Sequence, residues 1–233
     1  MGTIAFICAM PMELRPLVRQ LRLRKDIVAG TEVRRGRLAD HDVVAIVTGM
    51  GTALATDGTE RLLSAVTPDR VVVVGITGAV EDATVIGTLV LPEVVVNSAT
   101  GREHRPHPLG GGTPRGVMWT TDVVTPPEEL PALRARGVVS LDMETAAIAA
   151  CCERRSIPWS VFRVISDRAG DGSVDEEIFG LSHQDGTPNG PAIVRYILRH
   201  PLRIPRMASL AKGAKLATER ATMAAIEAVL SGP

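Results

Sequence analysis

The sequence is poor in aromatic side chains and has no net charge. Aromatic residues make up 3% of the 233 residues, so the core must be aliphatic and few rings are left to stack on a flat ligand. The 26 basic side chains are balanced by 26 acidic ones, and a chain without net charge has no overall field that attracts nucleic acid. We therefore expect no nucleic-acid partner.

Cysteine and long apolar runs are scarce as well. The three cysteines are Cys8, Cys151 and Cys152, and an odd number without framework spacing indicates reduced, buried thiols instead of disulfides. The first residues lack the basic start and the length of a secretory signal, and no run reaches the ~20 apolar residues of a membrane span. These features predict a cytoplasmic protein.

What the chain has in quantity is aliphatic residues. Hydrophobic residues make up 45% of the sequence, and a chain of this length suits one sizeable α/β domain. Residues 4–8 and 71–74 are continuous apolar runs without polar alternation, which is typical of strands covered on both faces. No internal repeat or linker indicates a second domain, so residues 1–233 are predicted to form a single domain.

Two further predicted strands end in acidic residues. Residues 138–141 run into Asp142 and Glu144 at the start of a helix, and residues 159–165 run into Ser166 and Asp167. The carboxyl ends of strands in an open α/β sheet form a ligand-binding crevice. The alternative is that these acidic residues only stabilise the helix, because Asp142 can cap it and Glu144 can complement its dipole. A second acidic strand end favours a binding site.

These two segments carry a family resemblance. Residues 143–147 (METAA) and 163–167 (RVISD) resemble the paired signature of the nucleoside phosphorylase/nucleosidase superfamily, whose members cleave the bond between a base and its ribose. The resemblance covers the chain from Ile4 to about Asp167. It implies a three-layer α/β/α domain with a mixed central sheet. It also implies a homodimer, because family members of this size commonly pair.

The residues after the first predicted strand resemble the nucleosidase branch of this superfamily. In that branch a Met-rich turn, here residues 9–13 (AMPME), ends in a glutamate that activates the attacking water. Phosphorolytic members usually have an arginine two residues before the glycine that matches Gly75, and a Ser or Thr just after it. Val73 and Ile76 stand at those positions and cannot bind phosphate. Water is therefore the expected nucleophile, with Glu13 as its base.

The resemblance also implies roles around the scissile bond. Cleavage of an N-glycosidic bond makes the sugar positive and the departing base negative, so a catalyst must stabilise both ends. Asp167 would protonate N7 of a purine or donate a hydrogen bond to it, and Ser166 would orient Asp167. Glu144 would accept hydrogen bonds from the ribose hydroxyls, while Met143 would pack on the sugar.

Other parts of the sequence bear on the ligand and on metals. By resemblance, Thr77 and Gly78 belong to a turn that lines the ribose and base, and Val124 takes the place of an aromatic that stacks on the base. His104 and His107 lie in a predicted irregular loop with few other metal ligands, so we interpret them as solvated surface residues. No metal and no organic cofactor are expected.

The sequence therefore predicts an enzyme that hydrolyses the N-glycosidic bond of a purine nucleoside. The expected substrate is an adenine-type nucleoside or a 5′-substituted adenosine. Two alternatives stay open. The first is a purine nucleoside phosphorylase that uses other basic residues, such as Arg34, Arg35 or Arg37, of this chain or of a neighbouring subunit. The second is a non-catalytic module that binds a nucleoside or an adenosyl-lipid.

The chain changes character after Asp167. Residues 168–191 are polar and rich in Gly and Asp, and a loop of this length is predicted to act as a lid. Residues 192–233 are predicted to form a basic helical C-terminal extension, interrupted at Pro201 and Pro205. Its amphipathic pattern is compatible with peripheral contact to an anionic membrane and with a solvated face on its own domain. The extension also resembles that of the hopanoid-associated members of the superfamily.

Overall fold

One mixed sheet organises the molecule. The structure is a computed structural model, and it describes residues 2–171, 176–183, 185–187 and 189–232. The strands are β1 (Thr3–Cys8), β2 (Arg24–Val28), β3 (Thr31–Leu38), β4 (His41–Val47), β5 (Arg70–Ala79), β6 (Leu89–Val90), β7 (Val94–Asn97), β8 (Glu103–His104), β9 (Val117–Thr120), β10 (Val138–Asp142) and β11 (Trp159–Arg168). The helices are α1 (Pro11–Leu21), α2 (Thr52–Ala65), α3 (Leu130–Ala135), α4 (Thr145–Arg154), α5 (Glu176–Phe179), α6 (Gly190–Arg199) and α7 (Ile204–Ser231).

Strand β5 is the centre of this sheet. On one edge its first half pairs in parallel with β1, and its last residues, Gly78 and Ala79, pair antiparallel with β10. On the other edge it pairs in parallel with β11 almost from end to end. Beyond β1 the order is β4, β3 and β2, and beyond β10 it is β9, β7 and β8. The carboxyl ends of β1 and β10 therefore meet beside the same stretch of β5.

Two hydrophobic cores lie on opposite faces of the sheet. Successive side chains of a strand point to opposite faces, and Ile7 of β1 belongs to one core whereas Phe6 belongs to the other. The first core contains buried side chains of α2 and α4, such as Ile148. The second contains side chains of α1 and α7, such as Leu17 and Ala221. A mixed sheet between two helical layers confirms the predicted three-layer fold.

Helix α7 forms part of the second layer. Ala217, Ala221 and Ala225 recur every four residues and are fully buried, and α7 packs against β11 and β5. The small side chains allow this close approach. At Gly213, an added Cβ would lie 2.5 Å from the carbonyl oxygen of Ser166. The second half of the predicted C-terminal extension is therefore an integral layer of the fold.

Several element boundaries differ from the prediction. Thr77 and Gly78, predicted to lie in a turn, belong to β5 because β11 pairs with this strand as far as Ala79. Residues 87–96, whose apolar character favours one strand, form the two strands β6 and β7 instead, because Pro92 between them cannot donate a ladder hydrogen bond. Strand β2 was not predicted, since its sequence (RKDIV) is mostly polar. Pro205 lies in the first turn of α7, where the backbone N–H needs no partner within the helix. The predicted interruption of the helix at Pro205 is therefore wrong.

Only part of the predicted lid lies within the described residues. The segment Ala169–Asp171 forms a 3-10 turn after β11, and α5 follows, whereas residues 172–175, 184 and 188 lie outside the described residues. At Gly186, an added Cβ would lie 2.6 Å from Cγ of Met10, so this segment packs against the turn that follows β1. A lid function stays a prediction. In the described parts of the chain, no helix is long and apolar enough to cross a membrane.

Candidate active site

A cavity of about 200 Å³ opens where β1, β5, β10 and β11 come together. All eight residues predicted from the sequence to form the site line this cavity, although they come from five separate segments of the chain. They are Glu13, Thr77, Gly78, Val124, Met143, Glu144, Ser166 and Asp167. The predicted residues therefore surround one shared cavity, and the chemical role of each residue stays a prediction.

Glu13 is held rigidly at the start of α1. Its Oε2 accepts hydrogen bonds from the backbone N–H groups of Ala9 and Met10, at 2.8 Å and 2.9 Å, and its Oε1 accepts one from Ile76, at 2.8 Å. Burial raises the pKa of the Glu13 carboxyl above its usual value, although Arg163 and these three N–H groups act in the opposite direction. A buried, oriented carboxylate of this kind is well placed to accept a proton.

Arg163 joins three buried carboxylates. It lies on β11 and is 2% exposed. One terminal nitrogen, Nη2, is 2.8 Å from Asp142 Oδ2 and 3.1 Å from Glu144 Oε2, while Nη1 is 3.4 Å from Glu13 Oε1. Burial alone would lower the pKa of Arg163, but the three carboxylates raise it above its ordinary value, so the guanidinium keeps its charge.

Asp142 holds this cluster in place from the end of β10. Its Oδ1 accepts a hydrogen bond from Thr120 Oγ1 at 2.6 Å, and its Oδ2 accepts from the backbone N–H of Thr145 at 2.9 Å. The same Oδ2 also contacts Arg163. The structural alternative for Asp142 is therefore correct in part, because this side chain both caps the start of α4 and forms a buried ion pair.

Glu144 faces the same cavity from the start of α4. Besides Arg163, its carboxylate accepts a hydrogen bond from the backbone N–H of Gly51, at 3.1 Å. Burial raises the pKa of Glu144 to about 7, and the charges of Asp142 and Glu13 add to this, whereas Arg163 and the Gly51 N–H oppose it. Such a group can accept hydrogen bonds when ionised, and its ionisation depends on pH near neutrality.

Ser166 and Asp167, at the end of β11, also line the cavity. The Ser166 hydroxyl donates a short hydrogen bond to Asp167 Oδ1. Gly78 lies directly beside this carboxyl group, since an added Cβ there would be 3.2 Å from Asp167 Oδ2. A side chain at position 78 would therefore crowd the acid.

The loop that follows β9, residues 121–125, forms one wall of the cavity. Thr121, Val123, Val124 and Thr125 line the cavity, so the wall is aliphatic and hydroxylic and contains no aromatic ring. Asp122 ties the loop to the first residue of α2: its Oδ1 accepts from the Thr52 N–H at 2.7 Å, and its Oδ2 accepts from the Thr52 hydroxyl at 2.6 Å.

Arg163 has no role predicted from the sequence, and the role considered for Asp142 is that of a helix cap. A signal was available, because an arginine inside a strand that is buried on both faces must have acidic partners. Met10 and Met50, which also line the cavity, had no comparable signal, since methionine is a common core residue.

The prediction for His104 is wrong. This residue lies on β8, which pairs with β7, and it is 2% exposed with Nδ1 2.8 Å from Glu153 Oε2. It is thus a buried residue of the sheet edge instead of a solvated loop residue. Within the described residues, no group of three or more His, Cys, Asp or Glu side chains is arranged to hold a metal ion.

Comparison with known proteins identifies the family of this chain. A sequence model of the phosphorylase superfamily matches residues 3–114 and 109–199. The chain belongs to this superfamily. A 5′-methylthioadenosine/S-adenosylhomocysteine nucleosidase of Bacillus thuringiensis is 26% identical over 202 residues, which span 73% of this chain and 87% of the relative.

Solved structures of superfamily nucleosidases share the fold. That of the Colwellia psychrerythraea enzyme with adenine has a TM-score of 0.75 at 20% identity, with 99% of this chain and 95% of the other covered. That of the S. pneumoniae enzyme with a transition-state inhibitor has a TM-score of 0.72 at 19% identity, with 97% and 99% covered. The predicted family, fold and nucleosidase class are confirmed by these comparisons.

Proposed function

We propose that this protein hydrolyses the N-glycosidic bond of a purine nucleoside and releases the free base, and that the base is of the adenine type. The observation that carries the proposal is the convergence of Glu13, Glu144 and Asp167 on one cavity. The Bacillus relatives are named as 5′-methylthioadenosine/S-adenosylhomocysteine nucleosidases. We therefore propose a 5′-substituted adenosine as the substrate class.

The three carboxyl groups fit the three needs of this reaction. Asp167, oriented by Ser166, gives its proton to N7 of the base, so that the electron pair of the C–N bond leaves on a neutral group. Glu144 accepts hydrogen bonds from the ribose hydroxyls, and these bonds strengthen as the sugar becomes positive. Glu13 takes a proton from the water whose oxygen attacks the anomeric carbon on the opposite face, so the configuration is inverted.

The surroundings of Glu13 favour water over phosphate. The nearby cation, Arg163, is already shared by three carboxylates, and a phosphate beside them would be repelled. Ile76 lines the cavity and offers no side-chain donor. Arg34, one of the alternative phosphate ligands, lies on β3 and contacts Glu32. In the described part of this chain, neither Arg34, Arg35 nor Arg37 lines the cavity.

We also propose that the protein is cytoplasmic and works as a homodimer. The support for a dimer is the family resemblance together with Val123, which stands at the edge of the cavity and is 66% exposed. A second copy that covers this side chain would shield the cavity from bulk water. Light scattering of the purified protein measures the oligomeric state directly, and a monomer at micromolar concentration contradicts this part of the proposal.

The experiment that tests the function follows base release. Purified protein is incubated with methylthioadenosine, adenosine and inosine, each with and without phosphate, and free base is measured by chromatography. We expect adenine release without phosphate, and Asp167→Asn should lower kcat by about 10²–10⁴-fold. Asp57→Asn, an exposed carboxylate on α2, is the matched control and should keep full activity.

Three outcomes separate the hypotheses. Base release that requires phosphate refutes the hydrolase and favours the phosphorylase. Tight nucleoside binding without release favours the non-catalytic module. If Asp167→Asn keeps the activity of the Asp57→Asn control, the role proposed for Asp167 is wrong.

A further inference from the structure

The charges of this chain are segregated. Residues 190–218 contain no acidic side chain and six basic ones, Arg195, Arg199, Arg203, Arg206, Lys212 and Lys215. Since the whole chain has 26 basic and 26 acidic residues, the remainder has 20 basic residues against 26 acidic ones. A neutral chain therefore has one strongly basic segment, which is a sign of an interaction with an anionic surface.

The same segment exposes large apolar side chains. Val194 and Leu198 lie four residues apart on α6, hence on one stripe of the helix, and they are 58% and 77% exposed. Leu202, in the 3-10 turn that follows α6, is 94% exposed. Arg195 and Arg199 are exposed beside this stripe. Exposed apolar residues flanked by arginines are typical of helices that lie on a membrane surface.

The side of α6 opposite these exposed residues packs against the rest of the protein. Tyr196 is 6% exposed, and its hydroxyl accepts a hydrogen bond from Arg203 at 3.1 Å. Glu177 of α5, a described acidic residue on this side, lies 3.3 Å from His200 Nε2 and 4.0 Å from Arg203 Nη1. By contrast, among the described residues no carboxylate forms an ion pair with Arg195 or Arg199, so their charges face outward.

We propose that α6 and the turn after it dock on a bilayer that contains anionic phospholipid. Leu198 and Leu202 enter the boundary between headgroups and acyl chains, and Arg195 and Arg199 contact lipid phosphates. This docking goes beyond the nucleosidase activity and does not depend on it. Among the described residues, Glu177 forms its ion pairs with His200 and Arg203 and not with the outward-facing arginines.

The test is co-sedimentation of the full-length protein with phosphatidylcholine vesicles, with and without phosphatidylglycerol. Binding is compared at about 0.1 M and about 1 M salt, between which the Debye length falls from about 10 Å to about 3 Å. We expect binding only to the anionic vesicles and only at the lower salt. Each arginine near such a surface strengthens partitioning roughly five-fold, so Arg195→Gln/Arg199→Gln should weaken it roughly 25-fold.

Two further variants make the result specific. Leu198→Ser/Leu202→Ser keeps every charge and should weaken vesicle binding by roughly ten-fold or more. Arg24→Gln/Arg115→Gln removes two exposed arginines elsewhere and should bind as the unchanged protein does. Circular dichroism and base release verify that each variant is folded.

Several results would overturn the docking surface. Equal binding to neutral and anionic vesicles contradicts it, and so does a control variant that loses as much affinity as the α6 variants. If the α6 substitutions instead convert a dimer into a monomer in light scattering, a second copy of the chain occupies the surface. Preference for a DNA duplex over anionic vesicles would equally refute a lipid partner.

Discussion

Removal of the Arg163 guanidinium tests whether one cation holds the site together. Arg163→Met keeps an unbranched apolar stem but removes the guanidinium, so it leaves Glu13, Asp142 and Glu144 without the positive charge that lies 2.8–3.4 Å from them. Breaking a buried ion pair on one side typically costs about 3–5 kcal/mol. Since whole domains are stable by about 5–15 kcal/mol, this variant should be close to unfolding at neutral pH.

The loss should depend strongly on pH. Without the cation, the buried carboxyl groups gain protons more readily than they do in the unfolded chain, so the folded state binds more protons. Stability then falls as pH rises, by about 1.4 kcal/mol per pH unit for each extra bound proton. We therefore expect Arg163→Met to be much nearer to the unchanged protein at pH 5 than at pH 8.

Urea unfolding at pH 5, 6, 7 and 8 measures this difference. The matched control is Arg154→Met, which removes an arginine that pairs with Glu60 at the surface, with side chains 53% and 34% exposed. An exposed ion pair contributes about 0–1 kcal/mol to stability, and the free energy lost with Arg154→Met should not depend on pH in this range. If both variants lose the same free energy, or if the loss from Arg163→Met is constant with pH, the carboxylates are not compensated by this guanidinium.

Two other predictions concern Glu144 and Gly75. The folded-state pKa of Glu144 is about 7, against an ordinary value of 4.5. The protonated form therefore favours folding, and stability is lost as pH rises between these two values. Glu144→Gln should remove this pH dependence, which is worth up to about 3 kcal/mol in urea unfolding. At Gly75, an added Cβ would lie 2.2 Å from Glu13 Oε1 and 2.6 Å from Arg163 Nη1; Gly75→Ala should therefore lower kcat for adenine release by about ten-fold or more. Gly111→Ala, with nothing within 4 Å of the added carbon, is its control. A Gly75→Ala enzyme with unchanged kcat, or a Glu144→Gln protein with an unchanged pH profile, contradicts the corresponding argument.

The sequence predicted the parts of the fold that depend on local patterns. The continuous apolar run of β1 and the acidic residues near the ends of β10 and β11 were sufficient to predict buried strands and a shared crevice. Partner strands are not visible in such patterns. Strand β5 extends to Ala79 because β11 pairs with it that far, and β2 exists because β3 supplies its hydrogen bonds.

The same limit applies to the candidate site. The family motifs predicted which residues line the cavity, but not that Arg163 connects three of the carboxylates, because that depends on distances between segments far apart in sequence. His104 shows the opposite error. Its loop-like neighbours predicted exposure, whereas pairing of β8 with β7 and the contact with Glu153 bury it.

The bond between Asp122 and Thr52 has a consequence for how substrate preference can change. Thr52 begins α2 directly after Gly51, whose N–H donates to Glu144, while Asp122 lies within the loop that includes Val124. The loop that contains Val124, which would contact the base, and Glu144, which would contact the ribose, are thus connected through the same hydrogen bonds at the start of α2. A mutation that reshapes this loop to admit a different base also shifts the Gly51 N–H that donates to Glu144. Selectivity for the base and selectivity for the sugar therefore cannot change independently.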